Sequence, residues 1–143
     1  MRHLIIPALI AGTTLPMLAA APAFAAETAS ASSAIDAAVA ADLRGEDKAR
    51  DKYRHPKETL EFFQVAPNMV VAEYAADAGW YTKILAPLTI TSGKYVALGV
   101  SPVAPAFNDQ RKAQMAAFPT AYPERAAKAT GIAADKIHAH VTN

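Results

Sequence analysis

The sequence predicts an α/β fold, in which a parallel sheet with flanking helices is preceded by an N-terminal helix. Two apolar segments with strand composition, residues 69–74 and 94–98, flank a segment with helical character. A third, weaker strand is predicted over residues 136–141, after two more helical segments. Strands that alternate with helices in this order are typical of parallel sheets with crossover helices.

The first 25 residues have the three parts of a secretory signal peptide. A basic start is followed by an uncharged, largely apolar run over residues 4–21, and small residues precede Ala26. We therefore predict a signal peptide over residues 1–25 and a periplasmic or secreted mature chain. A transmembrane anchor is the alternative, but it needs about 20 strongly apolar residues, and glycine, threonine and proline dilute this run.

Composition excludes several function classes. The whole chain has 14 Lys+Arg against 13 Asp+Glu, so it lacks the basic surplus of a nucleic-acid binder or a polybasic membrane patch. We predict neither nucleic acid nor, after signal cleavage, a membrane as partner. With 143 residues and no cysteine, the chain supports one domain without disulfides. His138 and His140 share a predicted strand face, but a third ligand with suitable spacing is absent, so no metal site is predicted.

The first part of the mature chain is predicted to be helical. Residues 26–33 are small and polar, and they predict a flexible leader before a domain that spans residues 34–143. The spacing of apolar residues predicts a helix over residues 34–53, and the alternating charges of residues 44–54 predict a solvated face. Pro56 suits the first turn of a helix and predicts a new helix there.

The rest of the chain divides into short elements separated by proline and glycine. They are predicted as a buried strand at 69–74, a helix at 80–85 closed by Pro87, a strand at 94–98, helices at 109–118 and 123–129, and a strand at 136–141. In parallel sheets, ligands bind at the carboxyl ends of the strands, near the first crossover helix. The segment of residues 73–79 is therefore the predicted binding region.

This segment has the residue types of a cofactor loop. Such a loop needs an acid to orient the ligand, small residues that allow close backbone approach, and a helix N-terminus beyond them. The sequence supplies Glu73, small residues that include Ala75, one glycine at position 79, and a helix that begins near Trp80. A turn of small residues is also common as plain packing, so the loop alone leaves both interpretations open.

Three segments share their order and spacing with a known family. They are YRHPKETLEFF at 53–63, MVVAE at 69–73 and GWYTKILAP at 79–87. In these segments, the chain resembles the predicted exported methyltransferases of bacteria, a branch of the class I S-adenosylmethionine-dependent methyltransferases. The resemblance covers about residues 49–100. It implies a partial Rossmann-like fold of the methyltransferase type, S-adenosylmethionine as cofactor, and an unidentified methyl acceptor as partner.

The resemblance also implies which residues bind the cofactor. The residues that fall in the matching loop are Glu73, Ala75, Asp77, Gly79 and Trp80. Glu73 is similar to the acid that ends the family's first strand and positions the amino-acid end of the cofactor. Gly79 is similar to the last loop glycine, and Trp80 to the start of the next helix. The family's RHP element is matched by residues 54–56, with no chemical role assigned, and no catalytic residue is identified.

Three departures from the family pattern count against activity. Asp77 and Ala78 stand where glycines are expected, and a side chain there hinders backbone approach or positive φ. The second strand ends in Leu-Gly-Val-Ser, without the acid that would bind the ribose hydroxyls. The family's sheet has seven strands, whereas this chain stops after its third. The chain is therefore expected to be a truncated relative, a homo-oligomer that completes its open sheet edge with a second copy, or a diverged domain without a catalytic role.

Three interpretations of the function follow. The leading hypothesis is an exported methyltransferase-like protein. The alternative is a non-catalytic extracytoplasmic binding or structural module, or a nonfunctional gene fragment.

Overall fold

A computed structural model describes residues 21–76, 79–103 and 105–142. The helices in these ranges are α1 (Ala21–Ala40), α2 (Asp51–Arg54), α3 (Pro56–Phe62), α4 (Thr82–Thr89), α5 (Asp109–Ala116) and α6 (Phe118–Thr130). The strands are β1 (Val70–Tyr74), β2 (Lys94–Gly99) and β3 (His138–Val141). Short 3-10 segments span Asp42–Arg50 and Ala134–Lys136.

The three strands form one open sheet in the order β1–β2–β3, and both strand pairs are parallel. Helix α4 connects β1 to β2, and α5 and α6 connect β2 to β3. Parallel neighbours require such crossovers, because a tight turn can only reverse the chain. The predicted α/β fold with a parallel sheet is therefore confirmed.

The helices that the structure describes cover only one face of this sheet. On that face Tyr95 is fully buried, and Gly99 lies so close to the Phe118 ring of α6 that an added Cβ would be 2.8 Å from it. On the other face, Val70 is 71% exposed and Tyr74 is 63% exposed. The prediction of a buried first strand is wrong for this face, because none of the described helices covers it.

The N-terminal helix is longer than predicted. Residues 26–33 lie within α1, so the structure differs from the flexible leader that the sequence predicted. Alanine favours helix, and α1 is anchored against α3. The Ser32 hydroxyl donates to a Glu61 carboxylate oxygen at 2.6 Å, and Ile35 is 1% exposed.

Most of the predicted signal peptide, residues 1–20, lies outside the described residues, so the signal peptide stays a prediction. Within the part of the chain that the structure describes, no helix combines the length and the apolar character that a membrane crossing requires.

Two prolines lie inside helices where the sequence predicted helix boundaries. Pro87 is inside α4, which continues to Thr89, and Pro123 is inside α6, which begins at Phe118. Proline removes one backbone hydrogen bond, but burial of the residues around it outweighs this loss, as at Leu88 in α4. The predicted end of α6 is confirmed at Gly131, which caps it with a left-handed φ of 73°.

Candidate functional site

The predicted cofactor loop leaves β1 at the carboxyl edge of the sheet. The Ala75 amide donates to the Leu98 carbonyl of β2 at 2.8 Å, which holds the start of the loop against the next strand. Ala75 has a φ of 54° and Gly79 a φ of 67°, both in the left-handed region. Glycine adopts this region freely, whereas alanine is strained there. Among the described residues of the loop, two positions therefore have a backbone conformation that favours glycine, and only one of them, position 79, is a glycine. Asp77 lies outside the described residues.

We expect Ala75→Gly to raise the free energy of unfolding by about 1 kcal/mol. The left-handed conformation costs an alanine about 1–2 kcal/mol, and the greater chain entropy of glycine offsets part of the gain. Gly79→Ala should have the opposite effect. Its added Cβ has room, with the Thr82 hydroxyl oxygen nearest at 3.9 Å, so only the backbone is strained.

Urea unfolding followed by tryptophan fluorescence measures both changes in this loop. Ala76→Gly is the matched control, because Ala76 is fully buried and its φ is not positive. That control should lower the free energy of unfolding. If Ala75→Gly also lowers the free energy of unfolding, the backbone of Ala75 is not strained.

Glu73 belongs to a hydrogen-bond network on the covered face of the sheet. Its Oε2 accepts from the Tyr95 hydroxyl at 2.6 Å and from the Thr82 hydroxyl at 2.9 Å. The Tyr122 hydroxyl of α6 lies 2.5 Å from the Thr82 hydroxyl and 3.0 Å from the Tyr95 hydroxyl. Each hydroxyl has one proton, so two donate to the carboxylate and the third, from Tyr122, donates to one of the other hydroxyls. The network joins β1, β2, α4 and α6.

Burial controls the protonation of this network. It raises the pKa of Glu73 above its ordinary value of 4.5, although the hydrogen bonds from Tyr95 and Thr82 oppose the rise. Burial also raises the pKa of Tyr95, and the Glu73 carboxylate adds to that effect. Burial likewise raises the pKa of Tyr122. Both phenols therefore stay protonated at neutral pH and act as hydrogen-bond donors.

The raised pKa of Glu73 predicts a loss of stability as the pH rises above about 4.5. The folded state then binds this proton more tightly than the unfolded chain does. The contribution is complete below the unfolded pKa and is lost as the pH rises through the folded pKa. Glu73→Gln keeps a carbonyl acceptor and cannot ionise, so it should flatten this part of the pH dependence.

The check is the free energy of unfolding of wild type and variant between about pH 4 and about pH 8. Glu124→Gln, at an exposed position of α6, is the matched control and should leave the wild-type profile unchanged. Parallel profiles for wild type and Glu73→Gln would contradict the assignment.

Trp80 is a core residue in the turn just before α4. Its side chain is 3% exposed, and its indole N–H donates to the Asp47 carbonyl at 3.0 Å. The guanidinium carbon of Arg54 lies 4.9 Å from the indole centroid, and that of Arg44 lies 5.1 Å from it. Such distances are typical of cation–π contacts. The RHP and GWYT elements therefore meet in the structure, through Arg54 and Trp80.

Arg44 is fully buried, although the charge pattern predicted a solvated face. It forms two hydrogen bonds with the Asp51 carboxylate, at 2.6 Å and 2.7 Å, and donates to the Val39 carbonyl at 2.7 Å. The prediction is wrong here because the helical path breaks at Gly45, where φ is 47° and ψ is −127°. Residues on either side of the break then no longer share the face that a continuous helix would give them.

The three histidines that the structure describes have no common site. His55 lies between α2 and α3 with a left-handed φ of 42°, and its carbonyl accepts the Thr59 amide and hydroxyl at 3.0 Å and 2.8 Å. His138 and His140 are exposed on β3. Among the described residues, no three His, Cys, Asp or Glu side chains form a group that could hold a metal.

A groove of about 530 Å³ lies between α1 and α3, away from the loop. Its apolar lining includes Ile35, Val65 and Met69, with the carboxylates of Glu27 and Glu61 among its polar groups. None of the described members of the predicted site lines this groove. The described residues of the predicted cofactor loop therefore do not enclose this cavity.

The described residues of the loop edge offer little reactive chemistry. The Glu73 carboxylate accepts hydrogen bonds from two core hydroxyls, and the Trp80 ring is packed among protein groups. Just beyond β2, the Ser101 hydroxyl is buried and has no hydrogen-bond partner within the described ranges. Apart from these side chains, the described residues of this edge offer backbone groups and small side chains, which can bind a ligand but supply no acid or base.

Sequence reasoning missed the partners of Glu73. The alternation of β2 places Tyr95 on the buried face with Ala97, and a buried phenol requires a hydrogen-bond partner. That signal could have identified Tyr95. No local signal connects it to Tyr122, which comes 27 residues later in the chain.

Comparisons with protein families, with curated proteins and with solved structures found no match to this chain. Its function is therefore inferred from the geometry described above.

Proposed function

We propose that the mature chain is an extracytoplasmic, non-catalytic binding module with a methyltransferase-like fold. The hydrogen bonding of Glu73 supports this proposal most directly. Its Oε2 accepts from Tyr95 and Thr82 on the covered face of the sheet. With Oε2 held there, at most Oε1 is left to bind the amino group of a cofactor.

Other residues also fit S-adenosylmethionine poorly. The end of β2 provides no acidic residue to bind the ribose hydroxyls, and the nearest polar side chain after the strand is that of Ser101. The Trp80 ring is packed against Arg44 and Arg54 instead of facing a ligand. Asp77 would place a carboxylate near the carboxylate of the methionine moiety, which is unfavourable in a partly desolvated site. These features support the proposal that the chain does not transfer methyl groups.

An S-adenosylmethionine-dependent methyltransferase is the second candidate. It is favoured by the left-handed backbone of Ala75 and Gly79 at the carboxyl end of β1. That backbone is suited to close approach of a ligand, and the N-terminus of α4 follows directly. An enzyme of this class would need its missing polar contacts from residues outside the described ranges.

Calorimetric titration with S-adenosylmethionine separates the two candidates. The expected result is no binding heat at ligand concentrations up to about 1 mM. Saturable heat in that range would contradict the proposal and support the enzyme. The double variant Asp77→Gly, Ala78→Gly then tests the loop. Binding that appears only in this variant would assign the loss of the cofactor to those two side chains.

The extracytoplasmic location is tested by expressing the whole gene in a bacterium and measuring the mass of the mature protein in the periplasm and the medium. We expect an N-terminus at Ala26. Recovery of the intact chain from the cytoplasm would contradict the predicted signal peptide.

A further inference from the structure

One face of the sheet has no helix against it within the described parts of the chain. Alternate strand residues paired in register form this face. They are Val70, Ala72 and Tyr74 of β1, Lys94, Val96 and Leu98 of β2, and His138 and His140 of β3. Parallel sheets almost always have both faces covered, because their strands are apolar on both sides. This open face is therefore an unusual surface for a parallel sheet.

The face has an apolar centre and a polar margin. Val96 and Leu98 lie on the central strand and are half-buried, while Val70 is 71% and Tyr74 is 63% exposed. Contiguous exposed apolar surface of this kind marks an interaction site more often than isolated exposed residues do. The composition of the centre therefore favours a partner with an apolar stripe.

The margin of the face determines the chemistry of that partner. Lys94 lies at the amino end of β2, and His138 and His140 lie along the outer strand, β3. No acidic residue belongs to the face. Two copies stacked through it would bring two sets of such side chains together without a carboxylate to accept their hydrogen bonds. An acidic partner satisfies them, and a second copy does not.

We propose that this face binds an amphipathic helix of another protein, with its apolar stripe on Ala72, Val96 and Leu98. Carboxylates along one edge of that helix accept hydrogen bonds from Lys94 and the two histidines. A helix fits better than a strand, because helices are the layers that pack on the faces of parallel sheets. The inference rests on the proposed function only in treating the chain as a binding module.

Two synthetic probes test the charge requirement. Both are amphipathic Leu/Ala helices of about 18 residues, one with glutamates and the other with lysines along the polar flank. Fluorescence anisotropy is measured with the protein as it is secreted from the whole gene. The glutamate helix should bind at least about tenfold more tightly than the lysine helix. Its advantage should shrink between about 50 mM and about 500 mM salt.

Substitutions on the face locate the binding. Val96→Asp should weaken binding of the glutamate helix at least about tenfold, and the milder Val70→Ser should weaken it less. Val103→Asp is the matched control, since Val103 is 76% exposed and lies outside the strands. Lys94→Glu should narrow or reverse the preference between the two peptides. Circular dichroism tests whether each variant is folded. If Val96→Asp is unfolded, Val70→Ser replaces it as the test of the face.

Equal binding of the two peptides, or equal effects of Val96→Asp and Val103→Asp, would overturn the inference. A dimer that Val96→Asp dissociates in sedimentation would also overturn it, in favour of a second copy. Titration with S-adenosylmethionine is independent of these measurements. Cofactor binding would refute the proposed non-catalytic function and leave peptide binding intact, so failure of one proposal is distinguishable from failure of the other.

Discussion

Asp51→Asn is expected to lower the free energy of unfolding by about 3–5 kcal/mol, because it leaves a buried charge without its counter-ion. The Arg44 side chain is 0% exposed, while that of Asp51 is 25% exposed. Asparagine has nearly the same shape as aspartate and can accept one of the two hydrogen bonds, but it carries no charge. Arg44 then keeps one hydrogen bond to the asparagine, the Val39 carbonyl and the face of Trp80, but it loses the negative charge that paired with it.

Asp42→Asn is the matched control for Asp51→Asn, in the same part of the chain. Asp42 is fully exposed and lies 3.6 Å from the Lys48 ammonium, so its loss should cost less than about 1 kcal/mol. Urea unfolding compares the two variants. Replacing both partners, by Arg44→Met with Asp51→Leu, should recover much of the lost stability, because no buried charge remains. Equal effects of Asp51→Asn and Asp42→Asn would show that the pair is not buried.

Trp80→Ala is expected to lower the free energy of unfolding by about 3–5 kcal/mol, the usual range for a buried tryptophan. The ring is 3% exposed, packs edge-on against Tyr81 at 4.7 Å between centroids, and donates to the Asp47 carbonyl. Its removal also takes the aromatic partner from Arg44 and Arg54. The loop and the N-terminal helical segments would lose their common contact.

Circular dichroism must follow this unfolding, since Trp80 is the only tryptophan of the chain. Phe62→Ala is the control, because Phe62 is aromatic but 80% exposed, and we expect its effect to stay within about 0.5 kcal/mol. The comparison separates two roles for Trp80. If Trp80 served only to stack against a ligand, its truncation would cost little stability, as we expect at Phe62. If Trp80 is a core residue, its truncation is strongly destabilising.

Local sequence signals were sufficient for the order of the elements. The change from strand to helix composition predicted the parallel sheet, and Pro56 and Gly131 predicted the start of α3 and the end of α6. These features depend on the backbone preferences of a few neighbouring residues, so they can be read without the rest of the fold. The position of the loop after β1 follows from the same order of elements.

The environment of each side chain could be determined only from the tertiary structure. The sequence placed Glu73 at the end of β1 but could not show that its carboxylate accepts hydrogen bonds from Tyr95 and Thr82 on the covered face. Likewise, the charge pattern predicted that Arg44 is exposed to solvent. A break in the helical path instead buries Arg44 against Asp51. Contacts between residues far apart in the chain depend on how the elements pack, and local patterns carry no information about them.

The predicted α/β fold is the part of this protein that the sequence alone determined. The periodicity of apolar residues defines which segments can form strands and helices, and parallel strands then require crossovers between them. Only the tertiary structure decided that the crossover helices lie on one face and leave the other open. The physical reason is that the strands are apolar on both sides. Their sequence therefore allows a layer of helices on either face, and it does not show which face the helices of this chain cover.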